Sequence, residues 1–193
     1  EWVQIDEPCL VLDLDANEKA ALKTAYSEFA LKVPGIKIML ATYFGELGDN
    51  ADLVAKLPVA GLHLDLVRGK NQIDSVLGKL PADRVLSLGV IDGRNIWRSD
   101  LSKILSRLEG IVAKRGADRI QLASSCSMLH VPIDLDQETD LDADLKSWLA
   151  FSVQKMGELA ALSRALSSGR ESVKDVLAAS DDAAKKRALS PKI

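Results

Sequence analysis

Residues 61–69 read GLHLDLVRG, and the fold turns on them. From Gly61 to Val67 the run is nearly continuously apolar, interrupted by His63 and Asp65. A strand with one wet face would alternate more cleanly. This run fits a strand covered on both faces, as in a parallel sheet. It stops at Arg68 and Gly69, so polar groups gather where the strand ends. Four other segments are built alike: Trp2 to Asp6, Ile36 to Tyr43, Arg84 to Ile91 and Arg119 to Ser125. IKIML and RVLSLGVI repeat the apolar run, while QIDEP and GVIDGRN repeat the polar ending.

Between these strands the pattern is helical. Glu18 to Leu31 carries Ala21, Leu22, Ala25, Phe29 and Ala30 as a stripe, with Asn17 as the expected N-cap and Pro34-Gly35 as the stop. Asn50 or Asp49 is placed to cap a short helix ending near Pro58. Asn71 to Leu80 sets Ile73, Val76 and Leu77 on one face. Leu101 to Lys114 sets Ile104, Leu105, Leu108 and Ile111 behind a Ser99 or Asp100 cap, with Gly116 near its end. Ala143 to Leu166 reads as the longest helix, holding the 3.6 period from Leu145 through Trp148, Leu149, Val153 and Met156 to Leu162. After Ser167 the chain turns rich in Ala and charge and loses its apolar stripe, which predicts a helix and then a linker.

Composition excludes several functions. A net charge of −3 with a pI near 5.5 offers no basic footprint for nucleic acid. No apolar run approaches the roughly 20 residues of a membrane span. Cys9 and Cys126 lie far apart without CxxC spacing, which fits a reducing, cytoplasmic compartment better than a secreted disulfide framework. The chain opens on Glu1, inside a strand and without a signal-peptide pattern, and reads as part of something longer.

Strand–helix alternation through five units is the rhythm of an α/β protein. A closed (β/α)8 TIM barrel typically takes about 250 residues, whereas this chain has 193. The expectation is a doubly wound sheet or most of a barrel, and in both folds ligands collect at the carboxyl ends of the strands. Asp6, Glu7, Asp65, Arg68, Asp92, Arg94 and Cys126 fall at those ends, as candidates for a cleft or an interface.

QIDEP, ATYFGELGDN, LHLDLVRG, LSLGVIDGRNIWR, SSCSMLHVPIDLD and LKSWLAFSVQK, in this order, resemble the amino-terminal half of cobalamin-independent methionine synthases. The resemblance runs from Val3 to the SPKI tail. It implies an enzyme several times this length, made of two related barrels, that moves a methyl group from 5-methyltetrahydrofolate polyglutamate to homocysteine. It implies zinc in the carboxyl-terminal barrel, which is not part of this chain and would be its partner. This chain would be strands four to eight of the amino-terminal barrel, with residues 1–168 as partial barrel and 169–193 as helix and inter-barrel linker.

The resemblance also bears on metal binding. Where the catalytic barrel has His-x-Cys, Glu and Cys, this chain offers Thr42 and Phe44, Asp65 and Cys126. Phe44 coordinates nothing, and a catalytic zinc needs three converging protein ligands. The expectation is no catalytic residue, metal or cofactor on this chain. Cys126 as a nucleophile would need a base or positive field nearby. His130 follows too closely in sequence to form a local signature, and His63 reads as a packed histidine. Asp6 and Glu7 point to opposite faces of a strand, so one faces inward and the other is expected to meet backbone or an arginine. Arg94 stays protonated and cannot shuttle protons, which leaves it a salt bridge with Asp92 or a ligand carboxylate. Two alternatives remain at this point: a non-enzymatic accessory half-barrel, and a small zinc enzyme built on Asp65 and Cys126.

Overall fold

The computed structural model describes residues 1–191, so Lys192 and Ile193, the end of the expected linker, lie outside the described residues. Five strands form one sheet in chain order: β1 (Trp2–Asp6), β2 (Lys37–Ala41), β3 (Gly61–Asp65), β4 (Val85–Ile91) and β5 (Ile120–Ser124). The ladders are parallel, with Val3 opposite Ile38, Leu40 opposite Leu62 and Leu62 opposite Leu86. A doubly wound sheet reverses its strand order at a switch point. No reversal occurs among these strands, so the sheet is a run of successive (β/α) units, the wall of a partial barrel.

Among the described residues seven α-helices connect and follow them: α1 (Ala16–Lys32), α2 (Ala51–Lys56), α3 (Gln72–Leu77), α4 (Leu101–Arg115), α5 (Ala143–Ser147), α6 (Ser152–Ser168) and α7 (Lys174–Leu189). The chain divides into two compact units. The first comprises Glu1–Val90 with Arg115–Cys126, and the second Ile91–Lys114 with the residues from Ser127. In the first, Leu40, Leu64, Leu86 and Leu88 are fully buried, because central strands are covered on both faces. In the second, Leu101, Leu105 and Leu108 bury one stripe of α4, and Leu135, Leu149 and Phe151 form a cluster under Trp97, Leu141 and Leu145.

Four expectations need correction. The α1 cap is Asp15, not Asn17. Its carboxylate accepts from the Glu18 amide while the Glu18 side chain accepts from the Asp15 amide, a complete capping box. The expected α1 stripe is largely exposed, and Tyr26 is the buried residue of that helix. The cause is position: α1 follows β1, a sheet-edge strand with a neighbour on one side only. Asn50 caps no helix. Its Nδ2 donates to the carbonyls of Leu10 and Leu12 at 2.9 and 2.8 Å, tying the turn after β1 to the start of α2.

The fourth is the long helix, which breaks between α5 and α6. Trp148, Leu149, Ala150 and Phe151 are all buried. Four consecutive inward residues cannot share one helical face, so the helix ends here: Trp148 keeps a helical backbone as the last turn of α5 closes, and Phe151 is extended. Leu149 bridges Trp97 antiparallel, Arg98 N–H donates to the Trp148 carbonyl, and Ala150 N–H donates to that of Ile96. The tail helix α7 buries Leu177, Ser180 and Ala183. The Ser180 hydroxyl donates to the Ser99 carbonyl and accepts the Leu101 amide, satisfying an orphan donor at the start of α4.

Candidate functional site

The first unit places Asp6, Glu7, Asp65, Arg68 and Cys126 at or just beyond strand ends. Each is engaged differently. Asp6 Oδ1 accepts from Gln4 Nε2 at 2.8 Å and from the Tyr43 hydroxyl at 3.4 Å, and that hydroxyl in turn accepts from Gln4 Nε2 at 2.7 Å. Burial, then the nearby Asp6 carboxylate, pushes the Tyr43 phenol up to about 12, so it stays a neutral donor. Glu7 faces the other way, where the buried Tyr26 hydroxyl donates to Oε1 at 3.1 Å and the Cys9 thiol to Oε2 at 3.5 Å. Burial and Glu7 raise both of those donors as well. The two acids do diverge as strand geometry demands, but neutral hydroxyl, thiol and amide groups hold them, not backbone or arginine.

Asp65 is fully buried and spends both oxygens on backbone. Oδ1 accepts from the amides of Val67 and Arg68, each at 2.9 Å, and Oδ2 from that of Phe44 at 3.2 Å. Phe44 sits at φ 76°, a left-handed conformation costly for a bulky side chain. Asp65 therefore clamps a strained turn after β2 to its own turn after β3. The Arg68 side chain is exposed. Cys126 is buried, and its Sγ accepts from Ser125 Oγ at 3.9 Å.

The sequence reading gave His63 only a packed place, and the structure makes it the hub of this end of the sheet. Nδ1 lies 2.9 Å from Ser87 Oγ and Nε2 3.4 Å from the Ser125 carbonyl, so β3, β4 and the end of β5 meet on one ring. A carbonyl only accepts, so the hydrogen sits on Nε2 and Nδ1 receives the Ser87 hydroxyl. Tyr43 packs edge-on at 5.3 Å between ring centroids. Burial pulls His63 below its ordinary range, against the weaker pull of the Ser125 carbonyl, Asp65 and Asp6.

A histidine with a depressed folded pKa contributes stability above the unfolded value, about 6.5, and that contribution is lost as pH falls through the folded pKa. Urea unfolding midpoints should therefore decline from about pH 6.5 downward, and His63→Gln should flatten that part of the profile. An unchanged profile in the variant would sink this assignment.

The second unit holds Asp92 and Arg94. Asp92 Oδ1 accepts from the Arg94 amide at 2.8 Å and Oδ2 from Asn95 Nδ2 at 2.6 Å, closing the turn after β4. The same unit buries Lys155 completely, with Nζ donating to the Trp97 carbonyl at 3.1 Å. Burial lowers the Lys155 pKa, opposed by Glu158 and Asp92. Both Glu158 oxygens engage Ser99, through its amide at 2.9 Å and its hydroxyl at 2.6 Å. Lys155 and Glu158 escaped the sequence reading because a polar pair on an apolar helix reads as solvated until the helix is packed. Among the described residues no three of His, Cys, Asp or Glu come together as a metal site, and no helix is long and apolar enough to cross a membrane.

The comparisons with known proteins agree with this architecture. The profile described as "Cobalamin-independent synthase, N-terminal domain" matches residues 1–116. The whole chain aligns at 63% identity with a 5-methyltetrahydropteroyltriglutamate–homocysteine methyltransferase of Nitrobacter winogradskyi, covering 25% of that protein. It aligns at 62% with one of Rhodopseudomonas palustris, covering 24%, and at 54% with one of Caulobacter vibrioides, covering 25%. The chain thus spans about a quarter of the length of the curated relatives it matches. A crystal structure titled as a putative vitamin-B12 independent methionine synthase from Listeria monocytogenes superposes on 65% of the chain and 41% of its own, with a TM-score of 0.54 and 20% identity, a likeness of fold. This chain belongs to the cobalamin-independent methionine synthase family, as part of its amino-terminal domain.

Proposed function

We propose that the polypeptide carrying these residues transfers a methyl group from 5-methyltetrahydrofolate polyglutamate to homocysteine, forming methionine in the cytoplasm. The observation that carries this is identity of 54–63% across the whole chain with relatives named as that methyltransferase. Zinc, held by a carboxyl-terminal barrel outside this chain, would activate the homocysteine thiolate. Residues 1–168 would be barrel wall and 169–193 the start of the connection to that barrel. The strand-end groups fit scaffolding: Asp65 and Asp92 are spent on turns, Asp6 and Glu7 on neutral donors, and Cys126 is buried beside a hydroxyl.

The test is methyl transfer from the triglutamate substrate without cobalamin. The whole polypeptide should make methionine and lose the activity on zinc chelation, whereas residues 1–193 alone should make none. Failure of the whole polypeptide on these substrates would reject the proposal. Turnover by the isolated chain would reject the scaffold role.

A further inference from the structure

The strand ends opposite the candidate site hold a second concentration of charge. Trp2, Lys37 and Val85 open β1, β2 and β4, and Arg84 and Arg119 precede β4 and β5 nearby. Together with Asp83 they line a cavity of about 230 Å³. That volume lies below the roughly 300–1,000 Å³ of drug-sized sites and suits a small ion.

Among the described residues, two of its cations, Arg84 and Lys37, form no ion pair within contact distance. Arg84 Nη1 is buried and has no acceptor among the described residues. The carbonyls around it are taken, because Arg115 donates to those of Leu80, Pro81 and Arg84 itself. Burial works against the Arg84 charge, and only Asp83 offsets it. Lys37 Nζ stands 5.7 Å from the Trp2 ring centroid, a contact with a π face and not with an acid. Arg119 is partly committed, with Nε at 3.3 Å from Asp118 and Nη1 donating to the Asp83 carbonyl at 3.0 Å. Three cations against one lining carboxylate leave a surplus of positive charge in a small polar space.

A half-buried guanidinium with unfilled donors costs stability until an acceptor arrives. We propose that this cavity binds a phosphate-sized oxyanion, free or as the phosphate group of a small ester. The Arg84 fork would face the ion, Lys37 and Arg119 would flank it, and the Trp2 ring would form an apolar wall. The surplus favours a dianion over a monocarboxylate. Because the cavity lies at the amino-terminal strand ends, the ion would act on stability and not on substrate.

The experiment is equilibrium dialysis of the whole polypeptide against labelled orthophosphate, with ionic strength held by chloride. The wild type should show a saturable site that Arg84→Met and Lys37→Met each weaken by about tenfold or more, the loss of one charge-assisted contact. Lys146→Met, which lies outside the cavity, should leave it unchanged. Lys37 is exposed, so its variant keeps the test valid should Arg84→Met fail to fold. Absence of saturable binding, or binding that both variants retain, would overturn the site. Acetate competing as well as phosphate would overturn the preference for a dianion.

Discussion

Asp65→Ala should cost about 3 kcal/mol or more, since it orphans three backbone donors at about 1–3 kcal/mol each. The carboxylate is fully buried, and its acceptors are spent on Phe44, Val67 and Arg68. Asp65→Asn makes the argument sharper. With its oxygen at the Oδ1 position the amide keeps the Val67 and Arg68 bonds, but its NH2 group then faces the Phe44 N–H, donor against donor. That variant should lose about 1–3 kcal/mol, concentrated in the turn after β2, where Phe44 holds φ 76° against its own steric preference. Urea midpoints should rank wild type above Asn above Ala, with amide exchange at Phe44 rising first. Both variants within about 1 kcal/mol of wild type would show that the clamp contributes little.

Much of this was legible in the sequence. Strands β2, β3 and β4 announced themselves because strands covered on both faces need apolar residues throughout, and IKIML, GLHLDLV and RVLSLGVI supply them. The polar ends of β1, β3 and β4 placed Asp6, Glu7, Asp65 and Asp92 at or just beyond strand ends. What those residues touch was not legible. Tyr43 meets Asp6, and His63 meets Ser87 and the Ser125 carbonyl, only through the parallel register of separate strands.

Two misreadings have local causes. Asp15 and Glu18 carried a D-x-x-E capping-box signal that Asn17 obscured. The break at Trp148–Phe151 was hidden because Trp148 and Leu149 fall in step with Leu145, Val153 and Met156, and a short apolar run does not by itself separate a buried helix from an extended core segment. Tyr26 shows the limit from the other side. It alone of α1 is buried, and what selects it is the Glu7 carboxylate waiting at the end of β1.

Gly89→Ala should be comparably severe, and for a reason of space alone. Gly89 pairs with Asp65 in the β3–β4 ladder, and its carbonyl accepts the Leu66 amide. A Cβ there would stand 2.8 Å from the Leu64 carbonyl oxygen, 2.8 Å from Ser125 Cα and 2.9 Å from His63 Cε1. Two of the three are backbone, held by neighbouring strands, so neither can swing aside as a flexible side chain would. Overpacking of a core typically costs about 1–3 kcal/mol, and a methyl wedged between two strand backbones belongs at the top of that range or beyond it. The intrusion also displaces the imidazole, so the pH dependence assigned to His63 should change in the same variant. Gly110→Ala is the control. Gly110 sits inside α4 with no atom within 4 Å of its missing Cβ, and there alanine should stabilise the helix by about 0.5–1 kcal/mol. Opposite signs from one chemical change would show that the junction of β3, β4 and β5 is closed by contact between backbones. Equal, small effects would mean that the sheet relaxes around an added methyl, and that the His63 hub is looser than its hydrogen bonds imply.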